Sequence, residues 1–167
     1  ASTNAVRDGL AGVEGMRAAP FFVLADYLTG AACTRRPLPI SASLQETLLT
    51  HAEQRTAALF STSLSRRLSQ RLLNALARRL EHPTTPVTVV SGHDNTIYPL
   101  VRALGCATCP LPPFAAYVVV EAFSSGAVRV SYDSQVLPVC GAELCSLPVF
   151  LDHIGPNPVV SSHDSLF

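Results

Sequence analysis

Lysine is absent: all 12 basic residues of the 167-residue chain are arginine, and tryptophan is missing as well. Arginine suits bidentate phosphate contacts, but so complete a bias reads first as the base composition of the gene. Charge is sparse and balanced, with 14% charged residues and 12 acids against 12 bases. So low a charge density argues against a disordered or strongly solvated protein. A net charge of zero means that bulk electrostatics imply neither a nucleic-acid partner nor an anionic membrane surface. No apolar run approaches the ~20 residues that span a bilayer. No basic-then-apolar signal opens the sequence at Ala1-Ser2-Thr3-Asn4, and no Asn-x-Ser/Thr acceptor occurs, so glycosylation offers no sign of secretion. The expectation is a sequence that begins partway through a longer protein.

Apolar residues make up 48% of the chain, enough to bury a core in a domain of ordinary size. Five cysteines leave two readings open: Cys33, Cys106, Cys109, Cys140 and Cys145. In an oxidising compartment they form local disulfides with one thiol left over. In a reducing one, Cys106-x2-Cys109 followed by Cys140-x4-Cys145 resembles a zinc site by spacing.

Along the chain, residues 1–19 show little periodicity and read as loop. Pro20 to Leu28 reads as a short helix, with Pro at its start and Gly30 past its end. Residues 35–39 form a linker. Ser41 or Ser43 opens a long helical region, carried first by Leu48, Ala52, Arg55 and Leu59, then by Leu64, Leu68, Leu72, Leu76 and Leu80 at four-residue spacing. Arg66, Arg67, Arg71, Arg78 and Arg79 occupy its other faces. Such a basic amphipathic helix can meet a membrane or an acidic partner, but a leucine face on a core with arginines in water is the plainer reading. Pro83 and Pro86 end the helical part. The β-branched run Val87 to Val90 predicts a buried strand. Ile97 to Leu104 predicts a helix stopped by Gly105. Ala116 to Phe123 and Ala127 to Asp133 predict strands joined by a Ser124-Ser125-Gly126 hairpin turn. A Cys-bounded loop leads to a last short helix near residues 147–154.

His93 and Asp94 thus fall where a strand feeds a helix N-terminus, the place where α/β proteins put chemistry. Backbone N–H groups and the helix dipole there favour an anion. A histidine can donate a hydrogen bond to a phosphoryl oxygen, and an aspartic acid can protonate a leaving oxygen. Asn95 and Thr96 are candidate caps for the helix. The plain alternative makes Asp94 or Asn95 an N-cap and His93 a turn residue. Ser162-His163-Asp164 repeats the letters with no strand before it and reads as tail.

The stretch Val89-Val90-Ser91-Gly92-His93-Asp94-Asn95-Thr96, followed by Leu100 and Leu104, resembles the second signature of the histidine acid phosphatases. The series continues in order. Leu111-Pro112-Pro113-Phe114-Ala115 resembles the Pro-Pro-aromatic-Ala segment of that family, Glu121 falls in the next strand, and Tyr132-Asp133 ends the one after. The Cys140–Cys145 loop, Val149-Phe150-Leu151-Asp152, and upstream Phe22 to Thr29 also have counterparts, so the likeness covers roughly residues 20–155.

The resemblance implies an α/β fold: a partial phosphoglycerate-mutase-like sheet with helices at 83–167, the C-terminal part of the catalytic core, and a helical cap-like subdomain segment at 1–82. It implies phosphate monoester hydrolysis through a phosphohistidine, without metal or organic cofactor. By position, His93 is the phosphate ligand and Asp94 the proton donor. It also implies a Cys140–Cys145 disulfide and a secreted, lysosomal or other endomembrane-lumen location; Cys33 is separately expected to pair with Cys106 or Cys109. The family's Arg-His-Gly-x-Arg-x-Pro nucleophile motif has no counterpart here, and none of the five histidines follows an arginine. The expectation is therefore a C-terminal portion whose partner is the N-terminal half of the same protein, docking beside Val87 to Val90 and leaving His93 at least partly accessible. Without that partner the sheet has an open edge. The rival readings are a catalytically dead relative that serves as a structural or binding subunit, and the cysteine-ligated zinc module.

Overall fold

The computed structural model describes residues 2–13, 15, 16, 18–38 and 40–155. The chain divides into two compact units, Ala1–Leu59 and Phe60–Phe167.

The first unit holds α1 (Ser2–Gly9), α2 (Phe21–Cys33) and α3 (Ala42–Leu59). Both α1 and α2 pack on α3 around Leu10, Ala19, Leu24, Leu28 and Leu48. Two expectations are corrected here. Residues 2–9 are helix, not loop: a short segment of weak pattern becomes helical when a neighbouring helix gives it a surface. Helix α2 also runs straight through Gly30. Its stop comes later, where the amides of Arg35 and Arg36 reach the carbonyls of Ala32 and Ala31 and Arg35 takes the left-handed conformation at φ 53°. Glycine is usual at that position, so an arginine there hides the signal, and Pro37 follows. Ser41, not Ser43, caps α3, its Oγ accepting from the Leu44 amide at 3.3 Å.

The second unit begins where the long helical region breaks. Ser61 Oγ accepts from the Leu64 amide at 3.4 Å and starts a new helix, α4 (Thr62–Glu81). Helix α4 packs along α5 (Asp94–Ala103), and the Phe60 ring meets Tyr98 edge-on at 5.7 Å. Four antiparallel strands follow: β1 (Val118–Ala122), β2 (Ala127–Tyr132), β3 (Gln135–Leu137) and β4 (Cys145–Ser146), with β1 on one side of β2 and β3 and β4 on the other. The hairpin stands as expected, with Val120 opposite Val130. Strand β2 alternates strictly. Val128, Val130 and Tyr132 enter the core with Leu73, Val101, Leu104, Leu137, Phe150 and Ile154, while the residues between them face outward. This is the pattern of a sheet with one covered face. Helix α6 (Leu147–Ile154) closes the core where the sequence predicts it. The result is a mixed helix and sheet fold, as the sequence predicts.

The largest correction concerns Val87 to Val90. These residues are neither strand nor buried: Val87 is 74%, Val89 87% and Val90 49% exposed. A strand needs a neighbour to take its backbone hydrogen bonds. The elements on either side of this segment are helices α4 and α5, and among the described residues no strand pairs with it. Nor does any described strand pair with the outer edge of β1.

Candidate functional site

Ser91-Gly92-His93 leads directly into α5. His93 sits at the N-cap in extended conformation, φ −112° and ψ 173°, and its carbonyl accepts from the amides of Thr96 and Ile97, both at 2.9 Å. Helix α5 therefore starts at Asp94, three residues earlier than the apolar spacing predicts. The cap position falls to His93 and not to Asn95 or Thr96, and the His93 side chain makes no capping bond. Asp94 Oδ1 folds back to accept from the Asn95 amide at 2.7 Å. Its negative charge lies on the first turn, where the helix dipole favours it. Gly92 makes the turn tight: a Cβ there would stand 3.3 Å from Cβ and Cγ2 of Thr96.

Ser91 to Asn95 are all exposed. The imidazole and the carboxyl group are thus presented together at a helix N-terminus, where the first amides have no helical partners and an anion is welcome. Chemically, this pair can hold a phosphoryl oxygen and hand over a proton. Neither its histidine nor any other described histidine stands in an Arg-His-Gly motif. His51 lies on α3, His82 caps the end of α4, and His153 is in the last turn of α6. Ser162, His163 and Asp164 lie outside the described residues.

Four arginines of this unit serve structure. Arg66 donates to the His153 carbonyl at 2.8 Å, Arg79 to Thr84, and Arg102 to the carbonyls of Phe60 and Ala107. Arg129 forms a two-pronged bond to Glu121, directly opposite it on β1, at 2.8 and 3.1 Å. That hydrogen bond holds the Glu121 carboxyl below the usual carboxylate range against a smaller desolvation effect. No local pattern in the sequence announces the pairing of Arg129, although both residues occupy outward positions of adjoining strands. Tyr132, the last buried residue of β2, is pushed up to about 12 by burial first, then by Asp133 and Tyr98. Its hydroxyl donates to the Pro110 carbonyl at 3.3 Å.

The sulfur chemistry is settled by two disulfides, Cys106–Cys109 and Cys140–Cys145. The second is the pair that the resemblance implies. The expected pairing of Cys33 is corrected: it ends α2 as an exposed free thiol, while Cys106 and Cys109 find each other across a Cα–Cα distance of 5.5 Å. The zinc reading needs four thiolates, and these bonds use all four sulfurs. Among the described residues no group of three or more His, Cys, Asp or Glu side chains is placed to hold a metal. Disulfides form in oxidising compartments, so the pairs are compatible with a secreted or lumenal protein. No described helix is long and apolar enough to cross a membrane.

The model of the histidine phosphatase superfamily (branch 2) matches residues 25–134, a span that includes His93, Asp94 and the β1–β2 hairpin. No curated protein matches the chain.

Proposed function

The chain belongs to the histidine phosphatase superfamily, branch 2, and on that premise we propose that it is the C-terminal segment of an acid phosphatase that is secreted, lysosomal or in another endomembrane lumen. In this reading the nucleophilic histidine comes from an N-terminal half that docks beside Val87 to Val90. One observation carries it: a histidine and an aspartate stand exposed at the N-terminus of α5, directly after an apolar β-branched segment that pairs with no strand among the described residues. A docked strand would satisfy that segment's backbone and bring its own side chains to the same helix end. Helix α4 packs on α5, so the compact units divide after Leu59. The division that this reading assigns by descent is a cap-like segment at 1–82 and the catalytic core's C-terminal part at 83–167.

The chemistry follows from the groups present. The partner's imidazole attacks phosphorus, the P–O bond to the alcohol breaks, and Asp94 gives its proton to the departing oxygen. Ionised Asp94 then takes a proton from the water that cleaves the phosphohistidine, releasing phosphate and restoring both groups. His93 donates to a phosphoryl oxygen throughout, and the helix N-terminus adds its partial positive charge. The substrate class is a phosphate monoester.

A second reading is a catalytically dead relative kept as a structural or binding subunit, favoured by the absence of any Arg-His-Gly in these 167 residues. The test is hydrolysis of an aryl phosphate at acid pH, with trapping of phosphohistidine. The chain alone should show neither. Refolded with a segment that carries the Arg-His-Gly-x-Arg-x-Pro motif, it should turn over, and Asp94→Ala should then slow the reaction by about 10²-fold or more. Turnover by the chain alone would sink the two-part account. Assembly without turnover would favour the binding subunit.

A further inference from the structure

Buried polar side chains are few in this protein, and they are not scattered. Among the described residues Ser65, Ser69 and Gln70 are buried at 0%, 4% and 5% exposure, and all three lie on α4. That stretch of α4 meets the last turn of α6. Arg66 donates to the His153 carbonyl at 2.8 Å, and Gln70 donates to the Gly155 carbonyl at 3.4 Å and to Asn74 at 2.8 Å. Two carbonyls at the end of α6, that of His153 in its last turn and that of its C-cap Gly155, are thus taken up by α4. The seam is polar where the rest of the core is apolar.

His153 stands inside it. Its Nε2 is buried with no hydrogen-bond partner, as is Oγ of Ser69. The ring lies against the end of α5, where a Cβ on Gly105 would be 4.0 Å from Nε2. A neutral imidazole leaves one nitrogen without a proton and tolerates this site. An imidazolium puts a charge at this covered position, where burial opposes it more strongly than the backbone of Leu104 favours it.

We propose that this seam is a pH-sensitive latch: protonation of His153 places a second cation beside Arg66 and loosens the last turn of α6 from α4 as the medium acidifies. The inference does not rest on the phosphatase reading. The charges around the ring favour it. Arg66, from α4, is of like sign, and Ser69 and Gln70 are uncharged. The end of α5 offers the backbone of Leu104, whose hydrogen bond pulls the other way, and Arg102 there is engaged with Phe60 and Ala107. On α6 itself Asp152 opposes the effect from an exposed position. Strand β4 is uncharged, and Arg129 of β2 points to the other face, paired with Glu121. Burial and then Arg66 prevail, and His153 is held below its ordinary value of 6.5. A released or unfolded His153 therefore takes a proton more readily than a docked one. The latch is fully closed above about pH 6.5 and weakens as pH falls through that value toward the docked pKa.

Hydrogen exchange on the purified chain between about pH 8 and 5, corrected for intrinsic rates, tests this. Protection of residues 149–154 should fall on acidification, about tenfold for each pKa unit by which His153 is lowered, while β2 holds. His153→Gln should remove that pH dependence. The proposal is overturned if α6 protection ignores pH in the unmodified chain, or if His153→Gln loses it equally. Should the variant not fold, the ring titration of His153 by NMR decides: a midpoint below the ordinary value supports the latch, and one at or above it refutes it.

Discussion

Val87-Thr88-Val89-Val90 and Ala127-Val128-Arg129-Val130 are similar in letters and opposite in fate. Val89 is 87% exposed, while Val130 is 2% exposed at the centre of a sheet. The second segment finds its neighbours close by in sequence. A short turn brings β1 alongside, and a two-residue turn brings β3. Short loops close at little entropic cost, so these pairings are available early and locally. The first segment lies between two helices, and only a remote strand can complete it. Strand preference is therefore a preference for a half-buried pleated surface, and it goes unexpressed where no such surface is offered.

Three variants test this contrast. The largest effect belongs to the covered side of the sheet. Phe150 is fully buried against it, and Phe150→Ala should cost about 3–5 kcal/mol in urea unfolding. A small loss would mean that α6 is not seated on a close-packed core. Next comes the loop that carries the sheet from β3 to β4. Replacing both Cys140 and Cys145 by serine should cost about 2–4 kcal/mol, measured by the same unfolding. An unchanged midpoint would show that the strands hold that edge without the crosslink. The smallest effect is expected at the bare segment: Val89→Ser should change the stability of the isolated chain by less than about 0.5 kcal/mol. In the two-part assembly the same change should weaken association about tenfold or more, because a buried valine is then lost. A large destabilisation of the isolated chain would erase the contrast.

The elements legible in advance are those whose evidence is local. Helix α6 shows its apolar run, and the β1–β2 hairpin shows alternation around a glycine turn. The β2–β3 turn was illegible because Asp133 and Ser134 adopt left-handed conformations, φ 47° and 69°, without a glycine to announce them. The two-residue β4 is too short to leave a pattern. At the candidate site, the order strand-like run, Ser-Gly, His-Asp, helix was enough to place His93 and Asp94 together at a helix start. The cap was misassigned because the polar first turn of α5 carries no apolar spacing. The surroundings of His153 were invisible, since Arg66 and His153 are 87 residues apart.

Residue order alone therefore determined that most of α2 to α6 is helical and that β1 and β2 form a hairpin, because side-chain periodicity and turn chemistry act within a few residues, whereas α1 took its helix from the surface of α3. It also determined that an imidazole and a carboxyl group share the N-terminus of α5. Tertiary structure alone decided that Val87 to Val90 pair with no described strand, that Cys106 takes Cys109 and leaves Cys33 free, and that Nε2 of the half-buried His153 is covered. Each of those outcomes depends on which remote surface comes within a few ångströms, and no local pattern in a chain encodes that distance.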